Sequence, residues 1–491
     1  MLTTTIFALC SAVLIYGLAR LRHARFKQYA HLPGPASSFV WGHSNKSRFI
    51  EYAIHSLIKR PADDTGWMLD LRPAFYPIGV IYSHELAEQI SRATPQFKYS
   101  VPKAPLQDLI GHVIGRESFL VNNGDQWRDK RKMFNAAFAP NHLVSFIPAI
   151  LDRTHVFLRT LDVHARSGDE FELGERCTLL TFDVIGRVIL NTDLKTQRDK
   201  SEQHEVVRCF LELLANLPMW PQIEWLLCPR KYRRRMQITQ AIDASLESII
   251  REKFDNRNGE KPHGDSPVTA DRSVLSLALD GIDSLTPQMI QTSIDSIRTF
   301  LFAGYDTTSA ILQWAFYELS RTPRALAALR AELDRVLGPN AEPSATSAAI
   351  ISNEAKLNRL VYLTAMIKET LRLHPPAGTS PILYLNHFSI QRDPTLPGED
   401  AGEGFAAGAW RPFERGPRGC IGQNSRCWKY DSVKVGLGAT ADVDGDGDDG
   451  AMVDEYGQYV SNEPLYDTFN TSAKPVDGTR MRVRFHEGSV D

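Results

Sequence analysis

The sequence predicts a mainly α-helical protein with a small β portion and one N-terminal transmembrane helix. Two observations lead to this prediction. Apolar residues recur at three- and four-residue spacing through most of the 491 residues, and the first 19 residues contain no charged side chain. Strand-like segments are few and lie near residues 67–82 and towards the C-terminus, which is atypical in composition.

The composition indicates a globular protein, since 43% of the residues are hydrophobic and 23% are charged. The 56 Lys and Arg residues nearly balance the 58 Asp and Glu residues, so nothing in the overall charge indicates a nucleic-acid partner. Six scattered cysteines do not form a disulfide framework. We therefore expect the globular part to face a reducing compartment.

Residues 1–20 are predicted to form a membrane anchor. The first 19 residues are uncharged and the run from Ile6 to Leu18 is almost continuously apolar. A bilayer core needs about 20 apolar residues of helix, so this stretch can just span it. Basic residues follow at once and would hold the next domain on the cytosolic side (Arg20, Arg22, Arg25 and Lys27). The alternative is a cleaved signal peptide, which would place its positive charge before the apolar run and a small-residue cleavage site after it. Neither is present.

Residues 21–36 form a basic stretch that ends in Leu32-Pro33-Gly34-Pro35. Two prolines around a glycine cannot continue a helix, so the segment is either a stiff hinge or an ordinary surface turn. The remaining residues, 37–491, are predicted to form the globular domain.

The strongest helix signal starts at Thr286-Pro287, an N-cap residue followed by proline at the first helical position. The apolar pattern continues to about Arg321, which predicts a helix of about 35 residues and about 50 Å. Helices at Pro323–Leu337 and Leu357–Leu373 are expected to follow. The polar run Asn256–Ala270 predicts an exposed loop.

A second candidate membrane contact lies at residues 211–227, which are apolar and contain Trp220 and Trp225. The basic run of residues 230–235 follows them directly. Tryptophan and basic side chains together suit a membrane interface, and a solvated basic turn is the alternative.

The segment with the clearest chemistry reads F-x-x-G-x-R-x-C-x-G, from Phe413 to Gly422. A cysteine binds iron as the thiolate, which nearby donors and positive charge stabilise. The glycines let backbone N–H groups approach the sulfur of Cys420. Arg418 can reach a carboxylate with two hydrogen bonds, and Phe413 would shield the sulfur from water.

Three further motifs precede this loop. Gly304 lies mid-helix, where glycine costs about 1 kcal/mol relative to alanine, and would let a flat cofactor approach. The acid–alcohol pair Asp306 and Thr307 follows it. Glu369 and Arg372 lie on the same face of one helix, and by themselves they could form an ordinary surface ion pair. Trp127 and Arg131 lie on the same face of a different helix and could both point at one anionic group.

These four motifs, in this order, resemble the cytochrome P-450 family of haem-thiolate monooxygenases. The anchored N-terminus resembles eukaryotic microsomal members. The sequences around Leu312-Gln313-Trp314 and Trp410-Arg411-Pro412 resemble those of fungal members, many of which modify secondary metabolites. The resemblance implies the cytochrome P-450 fold and a haem cofactor.

The resemblance also implies a role for each motif. Cys420 would be the axial thiolate ligand of the haem iron, and the haem propionates would be held by Trp127, Arg131 and Arg418. Asp306 and Thr307 would relay protons for the activation of dioxygen. Glu369 and Arg372 would lock the helix that supports the cysteine loop. Electrons would come from NADPH through a separate membrane-bound cytochrome P-450 reductase.

The chain departs from the family pattern in two places. Only 40 residues separate Arg372 from Phe413, and a P-E-R-[FW] element is missing after Phe405. After Gly422 the helix expected of the family is replaced by an atypical acidic and glycine-rich insert at residues 424–460. Missing exon sequence with a translated intron would explain this pattern, and so would real divergence.

The sequence therefore predicts a single-pass protein of the endoplasmic reticulum membrane with a cytosolic catalytic domain. It would insert one oxygen atom of O₂ into a hydrophobic small molecule such as a fatty acid, polyketide, terpenoid or similar secondary metabolite. The alternative is an inactive, truncated or mis-spliced relative that retains no haem. A peroxide-rearranging member is a third possibility, and Thr307 counts against it.

Overall fold

A computed structural model describes most of the chain. The described residues are 2–28, 38–39, 42, 66–70, 77–81, 84–102, 106–217, 224–259, 271–340, 342–377, 412–413, 417–424, 439–442, 467–469, 473–475 and 479–485. The P-E-R-[FW] region and most of the acidic insert lie outside these residues.

Helices dominate the described residues, as predicted. In chain order they are α1 (Leu2–Phe26), α2 (His84–Ser91), α3 (Leu106–Ile114), α4 (Gly124–Asn135), α5 (Pro140–Val144), α6 (Ile147–Ser167), α7 (Leu173–Leu190), α8 (Glu205–Ala215), α9 (Glu224–Leu227), α10 (Pro229–Gly259), α11 (Val274–Leu279), α12 (Pro287–Arg321), α13 (Pro323–Leu337), α14 (Pro343–Ser352) and α15 (Val361–Leu373). Short 3₁₀ turns lie at Ala136–Phe138, Glu354–Arg359 and Ile421–Asn424.

The strands are short and antiparallel. They are β1 (Gly66–Leu69), β2 (Ile78–Ile81), β3 (Phe171–Glu172), β4 (Ala439–Asp442), β5 (Asp467–Phe469), β6 (Ala473–Pro475) and β7 (Arg480–Phe485). Strands β1 and β2 pair, β5 and β6 pair, and β7 lies between β3 and β4. Because β4 belongs to the atypical insert and pairs along β7, part of that insert is built into a sheet.

The core is built around α12, which spans 35 residues as the sequence predicts. Its first turn is capped by Thr286, whose side-chain oxygen accepts a hydrogen bond from the Met289 N–H. The helix is buried on most of its surface and packs chiefly along α7. An amphipathic surface helix would show one buried stripe, whereas α12 also buries polar side chains such as Asp295, Arg298 and Gln313, as expected of a helix that crosses the middle of a domain.

Aromatic side chains join the middle of α12 to the region of α4. The ring of Phe300 lies 4.9 Å from the ring of Phe134, 5.1 Å from that of Phe138 and 5.3 Å from that of Phe119, measured between centroids. Such contacts add to the hydrophobic burial of each ring. The cluster fixes α4 beside α12, and both helices carry predicted site residues.

The predicted anchor is helix α1. Its segment Thr5–His23 has a mean hydropathy of 1.5 and is not buried against the rest of the protein. Its last turn is attached to the globule, because Arg25 forms a buried ion pair of 2.5 Å with Asp70 and donates from Nε to the carbonyl oxygen of Phe39. Arg25, expected in a basic stretch, is therefore paired inside the protein.

One local prediction was wrong. Residues 256–259, predicted as part of a loop, continue helix α10, and residues 260–270 lie outside the described part of the chain. The basic run at residues 230–235 lies in the first turns of α10, which excludes the alternative of a basic turn, and the membrane contact stays a prediction. Proline at the first helical position and the packing of α10 against α8 and α12 outweigh the polar composition of these segments.

Candidate active site

A backbone hydrogen bond joins the described residues at either end of the cysteine segment. The Cys420 N–H donates to the carbonyl oxygen of Phe413 at 2.8 Å, and Phe413 packs against the hydrophobic core. The 3₁₀ turn Ile421–Asn424 follows and contacts the turn Ala136–Phe138. Cys420 itself is exposed. Structural cysteines are usually buried, so the exposure of Cys420 is compatible with a role as a ligand.

Arg418 attaches this loop to the N-terminus of α4. Its Nη1 donates to the carbonyl oxygen of Asn122 and to Oδ1 of Asn123, both at 3.0 Å, and its Nη2 lies 3.5 Å from the carbonyl oxygen of Leu120. The guanidinium also lies 4.9 Å from the ring centroid of Trp127. Arg418 is buried. The structure thus shows Arg418 bridging two segments almost 300 residues apart in sequence.

Trp127 and Arg131 lie on α4, as the sequence predicts. Trp127 is buried between Arg418 and Tyr99, whose ring centroid is 5.4 Å away. Arg131 is partly exposed, and its Nε donates to Oδ1 of Asn135 at 3.2 Å. The structure therefore brings Trp127, Arg418 and the cysteine loop together, with Arg131 one helical turn away.

The acid–alcohol pair lies in the middle of α12. Asp306 is buried, and its Oδ1 accepts a hydrogen bond of 2.6 Å from Nζ of Lys474 on β6. Thr307 is partly exposed, and its Oγ1 donates to the carbonyl oxygen of Ala303 at 2.8 Å. Burial and the negative charge of Asp306 raise the pKa of the neighbouring Tyr305 well above its usual value.

Gly304 lies where α12 meets α7. A Cβ atom on Gly304 would lie 2.5 Å from Cδ1 and 2.7 Å from Cγ1 of Ile185, closer than real Cβ contacts allow. The structure therefore gives a helix-packing reason for glycine at this position. The cofactor role of Gly304 stays a prediction.

The pair Glu369 and Arg372 is formed on α15. Nη2 of Arg372 donates to Oε1 of Glu369 at 2.7 Å and Nε donates to Oε2 at 2.8 Å, a two-point contact on the helix surface. The hydrogen bond from Arg372 lowers the pKa of the Glu369 carboxyl. Both side chains are about half exposed, at 57% and 48%. Exposed pairs contribute little to stability, about 0–1 kcal/mol.

The residues present fit a haem. In a helix that is otherwise largely buried, Ala303 is exposed and Thr307 partly so, four residues apart on one face, and both side chains are small. A flat ring system needs such a low, uncovered helix face. The exposed thiol of Cys420 and the arginine side chains of Arg418 and Arg131 supply the donor set that a haem with a thiolate ligand requires.

Sequence analysis missed Lys474. The only signal is that it is the first basic residue after residues 435–473, which contain no Lys or Arg. Its partner Asp306 is 168 residues away in the chain, and no local pattern predicts a pairing over that distance.

Comparisons with known proteins agree with this architecture. A model of the family "Cytochrome P-450" matches residues 32–383, which include Trp127, Asp306, Thr307 and Glu369 and end before the cysteine loop. The cytochrome P-450 monooxygenase acrF of Aspergillus aculeatus is 28% identical over 414 residues, covering 72% of this chain and 79% of that protein. The monooxygenase polC of Polytolypa hystricis is 27% identical over 411 residues, covering 74% of this chain and 70% of that protein.

The fold is shared with solved structures as well. A crystal structure of a cytochrome P-450 (CYP102L1) superposes with a TM-score of 0.66 at 18% sequence identity, covering 92% of this chain and all of that one. At that identity the likeness concerns the fold. Together with the family match over most of the chain, it identifies the protein: the chain belongs to the cytochrome P-450 family of haem-dependent monooxygenases.

Proposed function

We propose that the protein binds haem through Cys420 and inserts one oxygen atom of O₂ into a hydrophobic small molecule. The single observation that carries this proposal is the docking of the cysteine loop on α4: Arg418 anchors the loop beside Trp127 and leaves Cys420 exposed. Burying an arginine costs free energy unless its partners are in place. The burial of Arg418 against Trp127 therefore supports a preformed site.

Each predicted residue has a place in this proposal. When bound, the haem supplies the chemistry of dioxygen activation, tuned by its thiolate ligand. Cys420 would hold the iron, Arg131 and Arg418 would pair with the propionates, and Trp127 would donate a hydrogen bond to one of them. Phe413, already packed on the core, keeps water from the sulfur.

Proton delivery is assigned to Asp306 and Thr307. Asp306 is buried and Thr307 reaches the exposed face of α12 beside Ala303. A buried acid next to a hydroxyl on the open face can pass a proton to that face. Gly304, whose nearest neighbour is Ile185, would let the cofactor approach α12. Glu369 and Arg372 would stabilise α15, the helix that the family resemblance assigns to the support of the cysteine loop.

The substrate class is a hydrophobic small molecule such as a fatty acid, polyketide or terpenoid of secondary metabolism. This assignment follows from the resemblance to fungal members of the family, and two relatives from Aspergillus aculeatus and Polytolypa hystricis, both named as monooxygenases, support the type of reaction. NADPH–cytochrome P-450 reductase is the proposed electron donor, as the resemblance of the sequence to microsomal members of the family implies.

The proposed location is the endoplasmic reticulum membrane, with residues 1–20 as the anchor, residues 21–36 as the basic stretch and hinge, and residues 37–491 as the cytosolic domain. Helix α1 supports this by its length and lack of burial. A second support is α9, where Trp225, Leu226 and Leu227 are exposed beside the basic start of α10. Deleting residues 1–20 should release the protein from microsomes in a flotation assay; unchanged flotation would contradict the anchor.

Haem loading of single-cysteine variants tests the proposal. Cys420→Ala should lose the thiolate-type absorption of the haem-loaded chain, because the change removes the thiol that the proposal assigns as the iron ligand. Cys228→Ala is the matched control, since Cys228 is also exposed but lies between α9 and α10. A thiolate-type spectrum in Cys420→Ala equal to that of the unmodified chain would contradict the assignment of Cys420. Absence of haem uptake by the unmodified chain would favour the alternative, an inactive relative.

A further inference from the structure

A lysine from the C-terminal hairpin is bound to the acid of the acid–alcohol pair. Nζ of Lys474 lies 2.6 Å from Oδ1 of Asp306, and the two side chains are 25% and 3% exposed. On this side of α12 the buried Asp306 carboxylate therefore connects to solvent through the partly exposed Lys474. An ion pair with one member buried is retained only when its partner is fixed in place, since an unpaired buried carboxylate is costly.

The surroundings hold this contact firmly. Lys474 precedes the buried Pro475 on β6, which packs against α12, and its Nζ lies 5.9 Å from the ring centroid of Tyr305. On the same side of α12, Thr181 of α7 donates from Oγ1 to the carbonyl oxygen of Tyr305 at 2.9 Å. Helix α7, strand β6 and the Asp306 turn of α12 are thus joined by polar contacts in an otherwise apolar core.

The two members of the acid–alcohol pair are held by different partners. Asp306 is held by Lys474, whereas Thr307 donates to Ala303 within α12 and lies on the helix face proposed for the haem. Consecutive helical residues project about 100° apart, so the carboxylate and the hydroxyl leave α12 in different directions. A proton moving to the haem face must therefore pass from the Asp306 carboxylate to the Thr307 hydroxyl.

We propose that Lys474 is a positioning residue for proton delivery. It holds the Asp306 carboxylate at the boundary between solvent and the core, so that each proton reaching Asp306 comes from the partly exposed side of Lys474. This proposal rests on the proposed function, because it concerns the same acid–alcohol pair. For each proton delivered, the Asp306 carboxylate first takes up a proton from solvent and then passes a proton towards Thr307, so it returns to its ionised starting state and no electrons move in this step.

The first test asks whether the contact exists in solution. Asp306→Asn, Lys474→Met and the double variant should form a cycle in which the loss of thermal midpoint in the double variant is clearly smaller than the sum of the single losses. Lys200→Met is the control for losing a lysine, because Lys200 is exposed in a turn; it should not couple to Asp306→Asn. Strictly additive losses for Asp306 and Lys474 would overturn the proposal.

The second test separates positioning from a purely structural role. The haem-loaded full chain is supplied with purified reductase and NADPH, and NADPH oxidation is followed in H₂O and in D₂O. Lys474→Met should slow NADPH oxidation about ten-fold and raise the solvent isotope effect, because proton delivery becomes limiting. Lys474→Arg should restore most of the rate, and Lys200→Met should behave like the unmodified chain.

The outcomes distinguish this proposal from the one on which it rests. An intact thiolate-type spectrum in Lys474→Met, together with an unchanged rate and isotope effect, would overturn the role of Lys474 and leave the haem assignment standing. Absence of that spectrum in the unmodified chain would overturn the haem assignment and this proposal with it.

Discussion

Replacing Arg418 by alanine should loosen the cysteine loop even before any haem is bound. The family resemblance assigns Arg418 to a haem propionate, but the structure already engages its guanidinium with α4 and the residues before it. Nη1 makes two hydrogen bonds of 3.0 Å, to Asn122 and Asn123, and the side chain is buried. The structural role of this arginine is therefore measurable on its own.

The size of the effect follows from these contacts. Hydrogen bonds from a charged donor contribute about 1.5–3 kcal/mol each, and the stacking on Trp127 adds about 0.5–1 kcal/mol. Truncation recovers about 2 kcal/mol of side-chain entropy. The net cost is about 3 kcal/mol, which corresponds to about a 100-fold larger population of the opened loop.

Hydrogen exchange at the Cys420 amide reports this opening directly, because that N–H is bonded to Phe413 in the closed loop. Exchange of a peptide covering residues 413–424 should accelerate about 100-fold in Arg418→Ala. Arg131→Ala is the matched control, since the contact of Arg131 with Asn135 lies at the surface and should cost under about 1 kcal/mol. Equal acceleration in both variants, or none in Arg418→Ala, would refute the reasoning.

Three other predictions concern the surroundings of the site. Gly304→Ala should lower the thermal midpoint of unfolding, because overpacking against Ile185 costs about 1–3 kcal/mol whereas the gain in helix propensity returns about 1 kcal/mol. Adding Ile185→Val should relieve part of this loss, and a higher midpoint for Gly304→Ala alone would contradict the packing. Burial and neighbouring arginines lower the pKa of His112 from 6.5 to about 4, so on acidification the unfolded chain takes up the proton before the folded chain does. The free energy of unfolding should therefore fall between pH 6.5 and 4, by about 2 kcal/mol after allowance for partial exposure. His112→Gln should remove this pH dependence, and a pH profile that His112→Gln leaves unchanged would refute the prediction. Arg372→Ala should lower the free energy of unfolding by under about 1 kcal/mol, mainly above pH 4.5. The pKa of Glu369 is lowered in the folded chain, so the stabilisation by the pair is present above pH 4.5 and is lost on acidification. A loss of several kcal/mol would mean that the pair is buried in solution.

The sequence predicts best those features that depend on neighbouring residues. The N-terminus of α12 follows from Thr286 and Pro287, which cap and start a helix through contacts within one turn. The pair of Glu369 and Arg372 follows from their spacing on α15, and the structure shows it as a surface pair. These inferences need no knowledge of the rest of the chain.

The sequence predicts poorly those features that depend on distant residues. Nothing near Arg25 indicates that it pairs with Asp70, and nothing near Lys474 indicates that it pairs with Asp306, because both contacts form only when separate elements pack together. The loop predicted at residues 256–259 is helical for the same reason, since packing of α10 outweighs local composition. Gly304 shows the converse, because its motif suggested a cofactor whereas its nearest constraint is Ile185.

The most direct test of the central claim is a reduced-minus-reduced-plus-CO difference spectrum of the full chain with its sequence unchanged. If Cys420 binds the haem iron in the loop held by Arg418, the spectrum shows a thiolate-type Soret band, and Cys420→Ala abolishes that band while Cys228→Ala keeps it. Absence of the band in the unmodified chain, or its persistence in Cys420→Ala, would contradict the account.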